Sequence, residues 1–150
     1  MKLRYFPSLD TTYVHKTRDY FIAGFTFFCV AVSLVIDAHA NLLIQNILGV
    51  IAWFFLVGLL IGENREIRVQ VVIAVAFATA GEHFASIYMG GYTYRFENVP
   101  LYIPPGHGMV YLTAVALARS GFFLKYARKI ALFVVITCGL WSLWGISGIP

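Results

Sequence analysis

Charged side chains are scarce in this 150-residue sequence. Asp, Glu, Lys and Arg make up 12% of the chain, hydrophobic residues make up 60%, and the mean hydropathy is +0.78. A water-soluble domain carries roughly 25% charged residues, so this chain lacks the polar side chains that would cover a soluble surface. The composition excludes a soluble globular protein and predicts a polytopic membrane protein.

Cysteines and familiar catalytic motifs are equally sparse. Cys29 and Cys138 both lie within apolar segments, which favours buried apolar side chains over a disulfide or a redox pair. The sequence has no metal-type cysteine spacing, no His-x-x-x-His pair, no nucleophile elbow, no P-loop and no dinucleotide fingerprint. We therefore predict no cofactor and no metal. The side chains that keep a metal site open as a minor alternative are Glu82, His39, His83 and His107.

The apolar residues fall into five segments, at about 20–36, 42–61, 69–90, 108–117 and 130–146. About 20 apolar residues cross the roughly 30 Å of hydrocarbon in a bilayer, and a backbone in lipid must satisfy its own hydrogen bonds as a helix. We predict an all-α fold, a bundle of about five transmembrane helices in a single domain over 1–150. It has a cytoplasmic segment at 1–19 and an outer loop or re-entrant hairpin at 91–106. The fourth segment is the shortest, which leaves a tilted or re-entrant course open.

The basic residues predict an orientation in the membrane. If all five segments span, ten of the eleven Lys and Arg residues fall on one side, and only Arg95 falls on the other. Because basic loops stay in the cytoplasm, we expect a multi-pass protein of the cell inner membrane, with its N-terminus cytoplasmic and its C-terminus outside. The charges flank apolar segments and form no single patch, so we predict no nucleic-acid partner.

Ionisable side chains inside the apolar segments are the strongest functional signal. Glu82 and His83 lie late in the third segment, and His107 lies at the start of the fourth. Ionisable residues in membrane segments are costly and mark functional sites. Residues 74, 78, 82 and 86 recur at helical spacing, so Glu82 is expected on a packing face. We predict Glu82, His107 and His83 as catalytic acid/base residues; the alternative is that they only join helices by hydrogen bonds.

The loop between these residues is unusually aromatic for a polar connection. Tyr92, Tyr94 and Phe96 alternate with Thr93 and Arg95, so one face of an extended segment would be aromatic. We predict a lid or an interfacial anchor over the helix ends. The residues predicted to bind a substrate are Tyr92, Tyr94, Arg95 and Tyr111.

The stretch from Glu82 to His107 resembles a motif of the carotenoid-biosynthesis membrane proteins of the hydratase type. The matching positions are Glu82, then Gly90-Gly91-Tyr92-Thr93-Tyr94, then Val99-Pro100-Leu101-Tyr102-Ile103-Pro104. The family motif ends in tryptophan, where this chain has His107. The resemblance implies an integral-membrane enzyme that adds water to an isoprenoid double bond, with Glu82 as proton donor. A separate bacterial membrane family carrying Tyr-Thr-Tyr-Arg and Pro-Pro-Gly-His-Gly is the other reading.

Two classes of function follow from these features. The first is a small membrane enzyme that acts on an apolar lipid or isoprenoid by acid/base chemistry at an outer-face site. The second is a non-enzymatic subunit or scaffold of a larger complex. A transporter is disfavoured because no inverted repeat is visible. The expected partners are membrane lipid, an apolar or isoprenoid ligand, and another membrane protein or a second copy of the chain.

Overall fold

The computed structural model describes residues 16–119 and 121–147, and this part of the chain is helical with irregular connections. Residues 1–15 of the predicted cytoplasmic segment, 1–19, lie outside the described residues. The helices are α1 (Thr17–Asp37), α2 (Leu42–Ile61), α3 (Arg65–Glu82), α4 (Ile103–Ala118) and α5 (Gly121–Ser147), with a π-helical segment, His83–Tyr88, continuing α3. The all-α prediction is confirmed for the described residues.

Within the described ranges, four helices are long and apolar enough to cross a membrane. They are Thr17–Asp37, Leu42–Ile61, the continuous Arg65–Tyr88 and Lys125–Trp144 within α5. These are the helices of a multi-pass membrane protein by length and composition. The helix α4 has 16 residues, about 24 Å at 1.5 Å per residue, and is shorter than a bilayer core. Its first residue is Ile103, so residues 103–106 of the predicted outer loop are helical.

Local sequence fixes where three of these helices begin. The side chains of Asn41 and Asn64 each accept a hydrogen bond from a backbone N–H three residues on, at 2.9 Å, and so cap α2 and α3. Pro104 and Pro105 lie in the first turn of α4. Their missing N–H groups cost nothing there, because first-turn N–H groups have no partner within a helix.

The described chain divides into two compact units, and the first comprises residues 16–116. Its core takes side chains from four helices, namely Ile22, Cys29, Leu56, Leu59, Val71, Met109, Leu112 and Ala116. Many other large apolar side chains in these helices are exposed. A thin core surrounded by exposed apolar residues is the pattern expected of helices whose outer faces meet lipid.

Two glycines let the backbone approach closely in this unit. A Cβ at Gly108 of α4 would lie 2.8 Å from side-chain atoms of Leu56 and Val75, so α4 packs against α2 and α3 here. A Cβ at Gly49 of α2 would lie 2.4 Å from the Cβ of Leu101, in the loop before α4. Small residues at such contacts are typical of membrane helix packing.

Arginines close the C-terminal end of α2. Arg18 donates to the carbonyl of Leu59 at 2.7 Å and lies 3.4 Å from the buried carboxylate of Glu63. Arg68 donates to the carbonyls of Ile61 and Glu63, each at 2.8 Å. These contacts satisfy helix-end carbonyls that have no partner within the helix. Basic residues from α1 and α3 therefore meet at the C-terminal end of α2.

The second unit contains, among the described residues, 117–147 and thus the whole of α5. Lys125 and Lys129 lie over the ring of Tyr126, which also contacts Phe122. Trp141 and Trp144 pack edge to face, with ring centroids 5.3 Å apart. The basic and aromatic ends of α5 are the composition expected at the two faces of a membrane.

Candidate functional site

The helix that carries Glu82 changes geometry directly after it. The backbone N–H of Met89 donates to the carbonyl of Phe84, five residues back, at 2.8 Å, which is the π-helical spacing. Gly90 ends this segment with a φ of +62°, a left-handed conformation that glycine adopts without steric cost. Single π-helical turns are frequent at functional sites. Here the turn redirects the chain from α3 into the loop that returns over Glu82.

The Glu82 carboxylate is the centre of the site and has three side-chain partners. Tyr92 and Tyr94 of the loop both donate to Oε2, and the Tyr94 bond is 2.7 Å long. The other oxygen, Oε1, lies 3.5 Å from Nε2 of His107. The Glu82 side chain is only 17% exposed. The two tyrosines stabilise a carboxylate by donating hydrogen bonds to it and leave one oxygen for the histidine.

The second ring nitrogen of His107 fixes its protonation state. Nδ1 lies 3.0 Å from the carbonyl of Ile103, and a carbonyl only accepts, so Nδ1 carries a proton. Nε2 faces the Glu82 carboxylate, whose negative charge would stabilise the imidazolium form of the ring. The separation of 3.5 Å exceeds the usual 2.7–2.9 Å of a charged hydrogen bond. Nε2 and the Glu82 carboxylate are therefore not joined by a short charged hydrogen bond.

A cavity of about 170 Å³ borders His107. Its wall is mostly apolar and comes from one face of α1, the first half of α4 and Ala52 of α2. The polar or polarisable side chains of the wall are Cys29, Ser33, Tyr102, His107 and Met109. Leu34 of α1 and Val110 of α4 also line the cavity and are more than half exposed. The cavity is therefore open to the outside beside these two residues. Apolar pockets with a few polar groups are the usual form of small-molecule sites.

Comparison of the chain with protein-family models, with curated proteins and with solved structures finds no match. The local resemblance at Glu82–His107 therefore stays a prediction, and the site is interpreted from its own geometry.

His83 lies beside this cluster without joining it directly. Its ring Nδ1 is 2.8 Å from the carbonyl of Thr79, one turn back, and the side chain is exposed. It is close enough to Glu82 for an electrostatic interaction. Within residues 16–119 and 121–147, no three His, Cys, Asp or Glu side chains converge as metal ligands.

Arg95, predicted to bind a substrate, fastens the loop. Its guanidinium donates to the carbonyls of Ala38 and Ala40, in the connection between α1 and α2, and lies 4.7 Å from the ring centroid of Phe96. Tyr111 is partly exposed on α4 and lies outside the cavity wall. The structure thus gathers Glu82, His107, Tyr92 and Tyr94 in one cluster, with Arg95 and Tyr111 elsewhere.

A second polar network escaped the sequence analysis. The Gln45 side chain, 1% exposed, donates to Asp37 at 2.9 Å and accepts from Asn98 of the loop at 3.1 Å. The same Asp37 carboxylate interacts with Tyr102 and contributes to its raised pKa. Gln45 could have indicated this network from the sequence. It lies in the apolar sequence of α2, and a buried amide needs hydrogen-bond partners.

Tyr94 and Tyr102 should lose their hydroxyl protons at a higher pH than an ordinary tyrosine. Burial raises the pKa of Tyr102 to about 12, and its bond to Asp37 adds to the rise. Burial and the bond to Glu82 also raise the pKa of Tyr94. Because the folded-state pKa of Tyr102 lies above the unfolded value of about 10, its contribution to stability is complete below about pH 10 and is lost as pH rises through about 12.

This expectation is checked by the phenolate absorbance of wild type and Tyr102→Phe in detergent. The difference between the two titration curves should have its midpoint near pH 12. A midpoint near the ordinary value of about 10 would show that Tyr102 is neither buried nor bonded to Asp37 in solution.

Proposed function

We propose that this protein is a membrane-embedded enzyme that acts on an apolar lipid or isoprenoid by acid/base chemistry at Glu82 and His107. The observation that carries the proposal is the position of His107, whose ring borders an apolar cavity and whose Nε2 lies 3.5 Å from the Glu82 carboxylate. An acid needs a partner that stabilises its charged form and a path to its substrate. The imidazole has both.

The chemistry assigns separate roles to the residues. His107 is the proton donor and acceptor, because it lines the cavity and its Nε2 faces the Glu82 carboxylate. Glu82 is the positioning residue that stabilises the imidazolium, and Tyr92 and Tyr94 keep it ionised by donating to Oε2. His83 is the candidate relay that restores the proton from outside the site. The local resemblance at residues 82–107 favours an isoprenoid as the substrate.

Solvent deuterium provides a test that works even when the substrate is one unidentified lipid among many. The protein, reconstituted in vesicles of total lipid extract supplemented with acyclic isoprenoids, is incubated in D₂O, and the lipids are analysed by mass spectrometry. An acid/base enzyme should place deuterium on carbon or add labelled water to a double bond. We expect Glu82→Gln and His107→Gln to lower the rate by about 100-fold or more, the usual contribution of acid/base groups.

Matched controls exist at the opposite end of α3 and in the connection between α1 and α2. Glu66→Gln and His39→Gln make the same chemical changes at exposed positions and should keep the wild-type rate. The proposed enzyme activity would be refuted if wild-type protein incorporated no deuterium, or if all four variants incorporated it at equal rates.

One observation favours the non-enzymatic subunit as the second candidate. The side-chain bonds of the loop, including both tyrosine bonds to Glu82, fasten the loop to the helices. In a scaffold these hydrogen bonds would serve only to hold the loop rigid, and the loop would be a docking surface for a partner. In that case Glu82→Gln should alter stability while no lipid in the extract becomes labelled.

A further inference from the structure

The wall of the cavity beside His107 offers no charge that could bind an anion. Among the described residues, it contains no Lys, Arg, Asp or Glu side chain. The ring of His107 already faces a carboxylate, since its Nε2 lies 3.5 Å from Oε1 of Glu82. A phosphate or carboxylate in the cavity would therefore lose its hydration without gaining a cation of its own, which is costly. The wall thus disfavours the charged end of a lipid.

The cavity opens between exposed apolar side chains of two helices. Leu34 of α1 and Val110 of α4 line it and are more than half exposed, and α1 is long and apolar enough to cross a membrane. The described loop residues 91–101 contribute nothing to the wall. Because the exposed apolar faces of membrane helices contact lipid chains, a ligand would reach the cavity from the bilayer, between α1 and α4.

The inner part of the wall is nearly closed and leaves a small space. Ala52 of α2 is 6% exposed and Met109 of α4 is 3% exposed. The volume of about 170 Å³ is close to the roughly 150 Å³ of an engineered apolar cavity that binds benzene. The space therefore holds about six carbon atoms, the end of a chain and not a whole lipid. Such an end would supply the dispersion contacts that an empty apolar cavity lacks.

We infer that the cavity receives the uncharged end of a lipid hydrocarbon chain, which enters from the bilayer between Leu34 and Val110 while any charged head stays outside. The inference rests on the proposed function, because it names the part of an apolar substrate that lies beside His107. It makes Ala52 a specificity-determining residue, since its small side chain leaves the space that the last carbons of the chain occupy.

Two photoaffinity probes test this inference. Both have the same long hydrocarbon chain with a diazirine near one end; that end is uncharged in the first probe and carries a phosphate in the second. Each is added to the whole chain in lipid nanodiscs, and cross-linked residues are mapped by mass spectrometry. The readout is Ala52 and Met109, because exposed helix faces react with any lipid probe. We expect the uncharged end to label both residues and the phosphate end to label neither.

Two variants test the space and the opening separately. Ala52→Leu adds three carbons, about half of what the cavity holds, and should abolish labelling of Met109. Val110→Trp adds bulk at the exposed opening and should abolish it too. Ala76→Leu and Val72→Trp make the same changes at exposed positions of α3 and should label like wild type. Val110→Trp carries the test alone if Ala52→Leu does not fold.

The outcomes separate the inference from the proposed function. Equal labelling of Met109 by both probes, labelling by neither, or labelling that persists in Val110→Trp overturns the inference even if deuterium incorporation depends on Glu82 and His107. Labelling by the uncharged end alone, lost in Ala52→Leu and Val110→Trp but kept in the two α3 variants, supports the inference even if no deuterium is incorporated. In that case only the proposed enzyme activity fails.

Discussion

Gly49→Ala is expected to destabilise the helical bundle by about 1–3 kcal/mol, the usual cost of overpacking. An added Cβ would lie 2.4 Å from the Cβ and 3.0 Å from the backbone carbon of Leu101. Since backbone cannot move aside as a flexible side-chain end can, the loop before α4 must shift away from α2. The free energy of unfolding is measured by titration with sodium dodecyl sulfate in mixed micelles, with helicity as the signal.

The same helix supplies the control for this substitution. A Cβ at Gly58 of α2 meets nothing within 4 Å, so Gly58→Ala should raise stability by about 0.5–1 kcal/mol through helix propensity alone. The two variants differ only in what surrounds the added methyl group. If Gly49→Ala were as stable as Gly58→Ala, the contact between α2 and Leu101 would not exist in solution.

Glu82→Leu is expected to release the loop between the π-helical segment and α4. The substitution removes the acceptor for the Tyr92 and Tyr94 hydroxyls and the partner of His107. Hydrogen bonds to a charged group contribute about 1.5–3 kcal/mol each, so the loss of even one should raise loop opening at least about tenfold. Amide hydrogen exchange over residues 91–99, followed by mass spectrometry, measures this opening directly.

The increase in exchange should be specific to the loss of Glu82. Glu66→Leu makes the same change at an exposed position near the start of α3 and should leave exchange in 91–99 unaltered. Tyr94→Phe should give an intermediate increase, because Tyr92 still holds Glu82. Wild-type exchange rates in Glu82→Leu would mean that Arg95 and Asn98 alone fasten the loop.

The sequence predicts the helices well because hydropathy and length decide them. The predicted second segment, 42–61, has the bounds of α2 (Leu42–Ile61), and Asn41 and Asn64 mark helix starts by ordinary capping. The start of α4 is less predictable. The fourth apolar segment begins at about residue 108, whereas α4 begins at Ile103, with Pro104 and Pro105 in a first turn where their missing N–H groups are not needed.

The candidate site is only partly predictable, for a different reason. Glu82 and His107 could be paired from the cost of placing charge in apolar segments, and they lie 3.5 Å apart. The partners of Tyr92, Tyr94 and Arg95 depend on where the loop folds back. That path is set by a π-helical turn and by the Gly49 contact with Leu101, neither of which has a recognisable sequence pattern.

The bonds from Arg95 to Ala38 and Ala40 have a consequence for the biogenesis of the protein. These partners are 57 and 55 residues earlier in the chain, so the first helical hairpin leaves the ribosome well before the arginine that joins it. Asn98 and Gln45 have the same relation. The candidate site therefore completes late, when α4 joins helices already made, and a chain arrested before α4 would lack His107. An unfinished chain would therefore carry Glu82 without its histidine partner.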